Sequence, residues 1–136
     1  MKILIMGLPG SGKTTLAEKL AAEFDAVWFN ADQIRKLTKF DSFSENCRNI
    51  QAKRMKTYAD FEVTLDKTVI CDFVCPTHNT RKIFNADFTI WMDTIDTGRY
   101  EDTNLLFERP TNSNCRIKDF NYEISKIIEM INNQIS

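Results

Sequence analysis

An open, mostly parallel five-stranded sheet packed between helices, a three-layer α/β/α arrangement, is the fold this sequence predicts. Three observations predict it. Short apolar runs recur along the chain at Lys2–Met6, Ala26–Phe29, Thr68–Cys71 and Phe88–Met92. These runs are continuously apolar rather than alternating, the pattern of strands buried on both faces of a parallel sheet. Segments with apolar residues at helical spacing separate them, and strands alternating with helices imply right-handed crossovers within one parallel sheet.

The elements follow in order. Lys2–Met6 runs straight into a glycine-rich loop. Thr14–Phe24 then carries Leu16, Leu20, Ala21 and Phe24 at helical spacing. Ala26–Phe29 is the second strand, and Asn30 or Asp32 is placed to cap a short helix through Leu37. Ser44 is the expected N-cap of a long helix to about Leu65, with Met55, Tyr58, Ala59 and Val63 as its apolar stripe. Thr68–Cys71 is the third strand and ends at Asp72. Thr77–Phe84 makes a further short helix, and Phe88–Met92 is the fourth strand, closed by Asp93. Asp96–Phe107 is expected to be partly helical, Glu108–Asn114 a polar loop, and Cys115–Lys118 a weak fifth strand. Tyr122–Ile135 is the last helix, with Ile124, Ile127, Ile128 and Ile131 on one face. No repeat or low-complexity linker divides the chain, and 136 residues suit one core, so a single domain over 1–136 is expected.

Composition excludes some partners. The formal net charge is −1, which demands neither a nucleic acid nor a membrane. Charge is unevenly spread, however. Residues 35–56 carry seven Lys/Arg against two Asp/Glu, and residues 86–136 carry five against nine. The apolar start is too short for a secretory signal or a membrane span, and no other stretch approaches that length, so a cytoplasmic protein without a membrane partner is expected. Cys47, Cys71, Cys75 and Cys115 show no CxxC spacing and read as reduced thiols.

Gly7-Leu8-Pro9-Gly10-Ser11-Gly12-Lys13-Thr14 matches G-x-x-x-x-G-K-[ST], with a strand before it and a helix after it. That is a P-loop, and the expected fold is a P-loop NTPase. Its glycines let backbone N–H groups wrap phosphate oxygens, and the helix N-terminus faces the same anion. Lys13 is expected to reach the β- and γ-phosphates of ATP, and the Thr14 hydroxyl to hold Mg²⁺.

Ligands of such a sheet lie beyond the carboxyl ends of its strands. Asp32, after the second strand, is placed to orient or deprotonate an acceptor hydroxyl, and Arg35 to neutralise a phosphate. Asp72, ending the third strand, sits where a carboxylate holds Mg²⁺ directly or through water. On the long helix, Arg48 is the basic residue best placed to meet an acidic acceptor. Arg99 and Arg109 flank a polar stretch, about residues 98–112, expected to form a lid over the nucleotide. Phe40, Phe43 and Phe73 are aromatic candidates near the cleft. Cys75 reads as a wall residue without an activating neighbour, and His78 as a surface residue.

These motifs resemble, in register over most of the chain, those of adenylylsulfate kinases among the small P-loop kinases. Residues 7–15, including Thr15, look like that family's nucleotide loop, and Asn30-Ala31-Asp32-Gln33-Ile34-Arg35 looks like its Asp-Gly-Asp-Asn-x-Arg. Phe43-Ser44 with Arg48 resembles Phe-Ser-x-x-Asp-Arg, and Phe73-Val74-Cys75-Pro76 followed by Arg81 resembles Phe-Ile-Ser-Pro and its Arg. Met92-Asp93-Thr94 and Asp102–Phe107 echo Val-Asp-Thr and Asp-x-Lys-Gly-Leu-Tyr. The resemblance implies transfer of a phosphoryl group from ATP to a hydroxyl of a nucleotide-type acceptor. It implies catalytic Lys13, Asp32 and Arg35. It also implies acceptor contacts from Phe43, Arg48, Phe73, Val74 and Cys75.

Departures from that pattern are local. Cys47 stands where the family has Asp, Ile50-Gln51-Ala52-Lys53 where it has Glu-Asn-Ile-Arg, Cys75 at its serine, and Asn104 at its lid lysine. The segment between lid and last strand is also shorter. Asn30-x-Asp32-x-x-Arg35 with Asp72 also resembles polynucleotide 5′-hydroxyl kinases and kinases of hydroxymethylated bases in viral DNA. The acceptor is therefore open between adenylylsulfate, a similar nucleotide and a nucleic acid. A nucleotide-driven switch without an acceptor is the third reading.

Overall fold

The computed structural model describes residues 1–135. Strands and helices alternate through most of it: β1 (Lys2–Met6), α1 (Lys13–Phe24), β2 (Val27–Asn30), α2 (Ala31–Thr38), α3 (Glu45–Val63), β3 (Val69–Asp72), α4 (His78–Phe84), β4 (Phe88–Met92), α5 (Glu101–Leu106), β5 (Cys115–Ile117) and α6 (Ile124–Ile135). The sheet order is β2-β3-β1-β4-β5 and every pairing is parallel. Strand order reverses around β1, so the crevice for a ligand opens beyond the carboxyl end of that strand.

Both sheet faces are buried, which explains the continuously apolar strands. Ile3, Ile5, Ile70 and Ile90 pack with Leu16 and Leu20 of α1 and with Ile127 and Ile131 of α6. The intervening Leu4, Met6, Val69, Cys71 and Trp91 pack on the opposite face with Ile34, Ala52, Met55, Ala59 and Phe84. Each fully buried aliphatic side chain contributes about 1.5–3 kcal/mol. The two layers fix the strand ends, and with them the site.

Local chemistry sets the helix starts. The Ser44 side chain accepts from Cys47 N, as expected for the cap of α3. Asn30, not Asp32, caps α2, with its Oδ1 accepting from Gln33 N at 3.0 Å. That leaves Asp32 exposed in the first turn. Thr77 and Thr80 form a reciprocal capping box at α4.

Some boundaries differ from expectation. β2 is shifted by one residue, to Val27–Asn30, and β3 starts one residue later, at Val69, and ends at Asp72 as expected, with Asn30 and Asp72 paired in register. The helix expected within Asp96–Phe107 is confined to Glu101–Leu106. Its earlier part stays open because Asn104 folds back: Gly98 N donates to Asn104 Oδ1 at 2.8 Å and Asn104 Nδ2 donates to Gly98 O at 3.0 Å. All four cysteines are free thiols. Among the described residues, no helix is long and apolar enough to cross a membrane.

Candidate active site

The loop between β1 and α1 is a backbone cradle. A Cβ on Gly7 would lie 2.7 Å from Met92 O, so only glycine lets the strand turn there. Gly12 sits at φ +95°, a left-handed conformation that glycine adopts without strain, and starts α1. Ser11 is fully buried, and its Oγ has no partner in the protein. Thr94 Oγ1 donates to Ser11 O at 2.7 Å and ties the loop to the end of β4. A closely turned backbone ahead of a helix N-terminus fits a polyphosphate.

Lys13 lies in this cradle, with Nζ donating to Leu8 O at 3.0 Å. Burial lowers its pKa to about 8, partly offset by Asp72 and Asp32, while Arg99 pushes in the same direction as burial. The ammonium is therefore held with less charge-stabilising company than it would have beside phosphates.

Asp72 anchors the floor. It accepts from Thr14 Oγ1 at 3.0 Å, from Trp28 Nε1 at 2.7 Å and from Asn30 Nδ2 at 3.0 Å. Burial raises its pKa, and those three hydrogen bonds and Lys13 oppose the rise. A hydroxyl and a carboxylate this close are hard oxygen donors. They fit Mg²⁺, which takes one or two protein oxygens and completes its octahedron with phosphate and water.

From this floor a cavity of about 540 Å³ extends past Asp32 to a wall of side chains from α2, α3, the loop after β3 and the segment around α5. Asp32 makes no side-chain hydrogen bond among the described residues and faces Lys13 closely enough to raise its pKa. Arg35 donates from Nη1 to Ser42 O at 2.8 Å, and its guanidinium lies 4.2 Å from the Phe43 ring. Arg48 is buried and donates from Nε to Phe43 O at 2.9 Å and from Nη2 to Thr103 Oγ1 at 2.6 Å. Burial lowers the pKa of both arginines, but a guanidinium stays charged at any ordinary pH. Phe73 meets Phe84 edge to face at 5.4 Å, and Val74 and Cys75 continue the same wall. Cys75 is buried in a left-handed conformation at φ +48°. Its thiol is pushed up to about 12 by burial, against hydrogen bonding from Thr80 and the charge of Arg81, so it stays protonated.

Most residues singled out in the sequence line this one cavity: Pro9, Gly10, Gly12, Lys13, Thr14 and Thr15 at one end, Asp32, Arg35, Phe43, Arg48, Phe73, Val74 and Cys75 at the other, with Asp72 on the floor and Arg99 over the top. Gly7 and Ser11 stand behind the cradle and shape it. Arg109 is a correction: it lies in a separate hollow of about 180 Å³, its guanidinium 5.0 Å from the Trp91 ring. The chain leaves α5 extended, and Glu108 N donates to Pro76 O at 2.7 Å. Arg109, the next residue, is turned to the other side. Phe40 packs on the guanidiniums of Arg35 and Arg54 rather than lining the cavity. His78 is half-exposed beside Glu108.

Trp28, Asn30, Gln51 and Thr103 were not foreseen. Asn30 had a readable signal, a cap residue at the carboxyl end of a strand. Gln51 donates to Ala31 O at 3.2 Å, and only the packing of α3 on α2 brings the two together.

A family profile described as an AAA domain matches residues 3–88. No curated protein matches the sequence. Among solved structures, the chain is similar to the Mycobacterium tuberculosis APS kinase CysC in complex with AMPPNP and APS, with a TM-score of 0.81 and 18% identity over 98% of this chain and 96% of that one. It is also similar to a gluconokinase from Sinorhizobium meliloti 1021, with a TM-score of 0.61 and 15% identity over 98% and 90%. The third is shikimate kinase from Aquifex aeolicus, with a TM-score of 0.64 and 13% identity over 99% and 96%. At these identities the likeness establishes the fold, the P-loop NTPase α/β fold of small kinases.

Proposed function

The chain belongs to the AAA domain family, and from that premise we propose that it is an ATP-dependent phosphotransferase acting on a hydroxyl acceptor. One observation carries the reading. A single cavity holds the phosphate cradle with Lys13, Thr14 and Asp72 and also an exposed, unpartnered carboxylate, Asp32, facing Lys13. A nucleotide switch has no use for that second half.

In this reading the backbone of residues 9–15 binds the ATP phosphates, and Lys13 regains full charge beside them. Thr14 and Asp72 hold Mg²⁺, which neutralises charge on the phosphates when bound. The acceptor oxygen attacks the γ-phosphorus in line, the bond from γ-phosphorus to the β-bridging oxygen breaks, and ADP leaves. Asp32 orients the acceptor hydroxyl and takes its proton. Arg35 anchors acceptor charge, and Arg99 adds a cation opposite Lys13. Residues 98–112 act as the lid of a single kinase domain spanning 1–136, with Arg99 rather than Arg109 as the lid cation. Four free thiols suit a reducing compartment such as the cytoplasm.

The acceptor half favours a flat anionic molecule. Phe43 and Phe73 line that half, and the Arg35 guanidinium lies 4.2 Å from the Phe43 ring. Adenylylsulfate or a close nucleotide relative meets that description, and the APS kinase of similar fold was solved with AMPPNP and APS. A second reading is a hydroxyl carried on a polynucleotide. Lys36, Lys39 and Lys53 are exposed on or beside the helices that carry Arg35 and Arg48, without acidic partners among the described residues.

The test is γ-labelled ATP offered in parallel with adenylylsulfate, a 5′-hydroxyl oligonucleotide and hydroxymethyluracil DNA. Label on adenylylsulfate supports the first reading. Label only on DNA replaces it with the second. Label only in inorganic phosphate overturns the kinase assignment.

A further inference from the structure

Two arginines fasten the lid segment, and both fasten it to the acceptor half of the cavity. At its front, Arg48 bridges from Phe43 O to Thr103 Oγ1 on α5. Arg48 and Thr103 are 7% and 3% exposed, two of the few buried polar residues in the protein. At its back, Arg81 donates to Cys75 O, to Pro76 O and to Glu108 O. Each arginine thus ties one acceptor wall, Phe43 or Cys75–Pro76, to one end of α5. Arg99, by contrast, makes no hydrogen bond among the described residues and lies over the Tyr100 ring at 5.7 Å. Its place above the cradle is inherited from a segment that the acceptor walls hold.

We infer that Arg48 and Thr103 are a positioning pair for the transfer reaction, a strut by which an acceptor resting on Phe43 sets the lid and so the placement of Arg99 above the phosphates. This rests on the phosphotransferase reading. Arg48 holds the Phe43 carbonyl, so an acceptor seated on Phe43 bears on Arg48 and through it on Thr103. Loss of the strut lets Arg99 drift from the phosphates, which slows transfer to a seated hydroxyl and gives water a larger share. Two of the guanidinium's nitrogens, Nε and Nη2, already point at protein oxygens, while the side chain still lines the cavity.

Thr103→Val removes the hydroxyl and keeps the shape, and Thr103→Ser keeps the hydroxyl. Thr103→Val is expected to lower kcat for transfer about tenfold and to raise the share of ATP lost to water several-fold. Acceptor KM stays within about twofold, and Thr103→Ser restores the wild-type values. Unchanged kcat and partition in Thr103→Val overturn the strut, as does an effect confined to acceptor KM. A second readout needs no acceptor. The Phe107 amide donates to Thr103 O at 3.0 Å. With a non-hydrolysable ATP analogue bound, its hydrogen exchange is expected to quicken in Thr103→Val and not in Thr103→Ser, and equal rates in all three proteins overturn the inference. Should wild type phosphorylate no hydroxyl at all, the phosphotransferase reading fails, and the exchange rates still decide whether the strut holds the lid.

Discussion

The two ends of the cavity are built by different means. The phosphate end comes from one unbroken stretch, residues 9–15, and works through backbone N–H groups, a helix N-terminus and one lysine. The acceptor end is assembled from side chains on α2, α3, the loop after β3 and the lid, and several of its polar groups are bound to the protein's own carbonyls. On the proposed function the difference follows from the ligands. A triphosphate is the same in every reaction of this fold, so backbone geometry is enough to hold it. An acceptor differs from one enzyme to the next, so its half is made of exchangeable side chains.

The sharpest way to break that division is at its boundary. Lys13→Met is expected to cost at least about a thousandfold in transfer and to weaken ATP binding, because in the proposed reaction Lys13 meets phosphate in both ground and transition states. Asp32→Asn is expected to lower kcat by about 10²–10³ while leaving the ATP dissociation constant within about twofold, read by calorimetric titration. Loss of ATP binding in Asp32→Asn would move Asp32 into the phosphate end and dissolve the division.

Proton linkage sharpens the comparison next. With a pKa of about 8 in the free protein, Lys13 is charged below that pH and loses its proton above it. Bound phosphate favours the charged form, so binding takes up a proton at high pH. ATP affinity is expected to be level below about pH 8 and then to fall by about tenfold per unit, and Lys13→Met to remove that fall. At the other end, Phe43→Ala is expected to raise acceptor KM by about tenfold, the scale of one stacked ring, without changing ATP affinity. The smallest effect belongs to Arg109→Ala. It lies in the separate hollow against Trp91, so steady-state constants for both substrates should stay within about twofold.

The same contrast governs how much could be read from the chain. The strands were legible because burial on both faces leaves runs such as Lys2–Met6 and Phe88–Met92 apolar throughout. The P-loop between β1 and α1 was legible because its residues are consecutive. Ser44 as a cap was legible from local chemistry alone. Arg48 was placed in the acceptor half, but its bond to Thr103, 55 residues on, was not readable, since only the fold brings the two together. The partly helical lid segment was legible, but where its helix begins was not, because the side chain of Asn104 takes the backbone groups of Gly98. Arg109 was assigned by its flanking position, and one residue of extended chain turned it away.

The central claim is that both ends serve one transfer. Enzyme in excess over γ-labelled ATP, followed through a single turnover with and without adenylylsulfate, tests it directly. The account predicts that the acceptor quickens loss of label from ATP by at least about a hundredfold, and that the label appears on the acceptor hydroxyl. Release of label as inorganic phosphate, at the same rate whether or not acceptor is present, would contradict it.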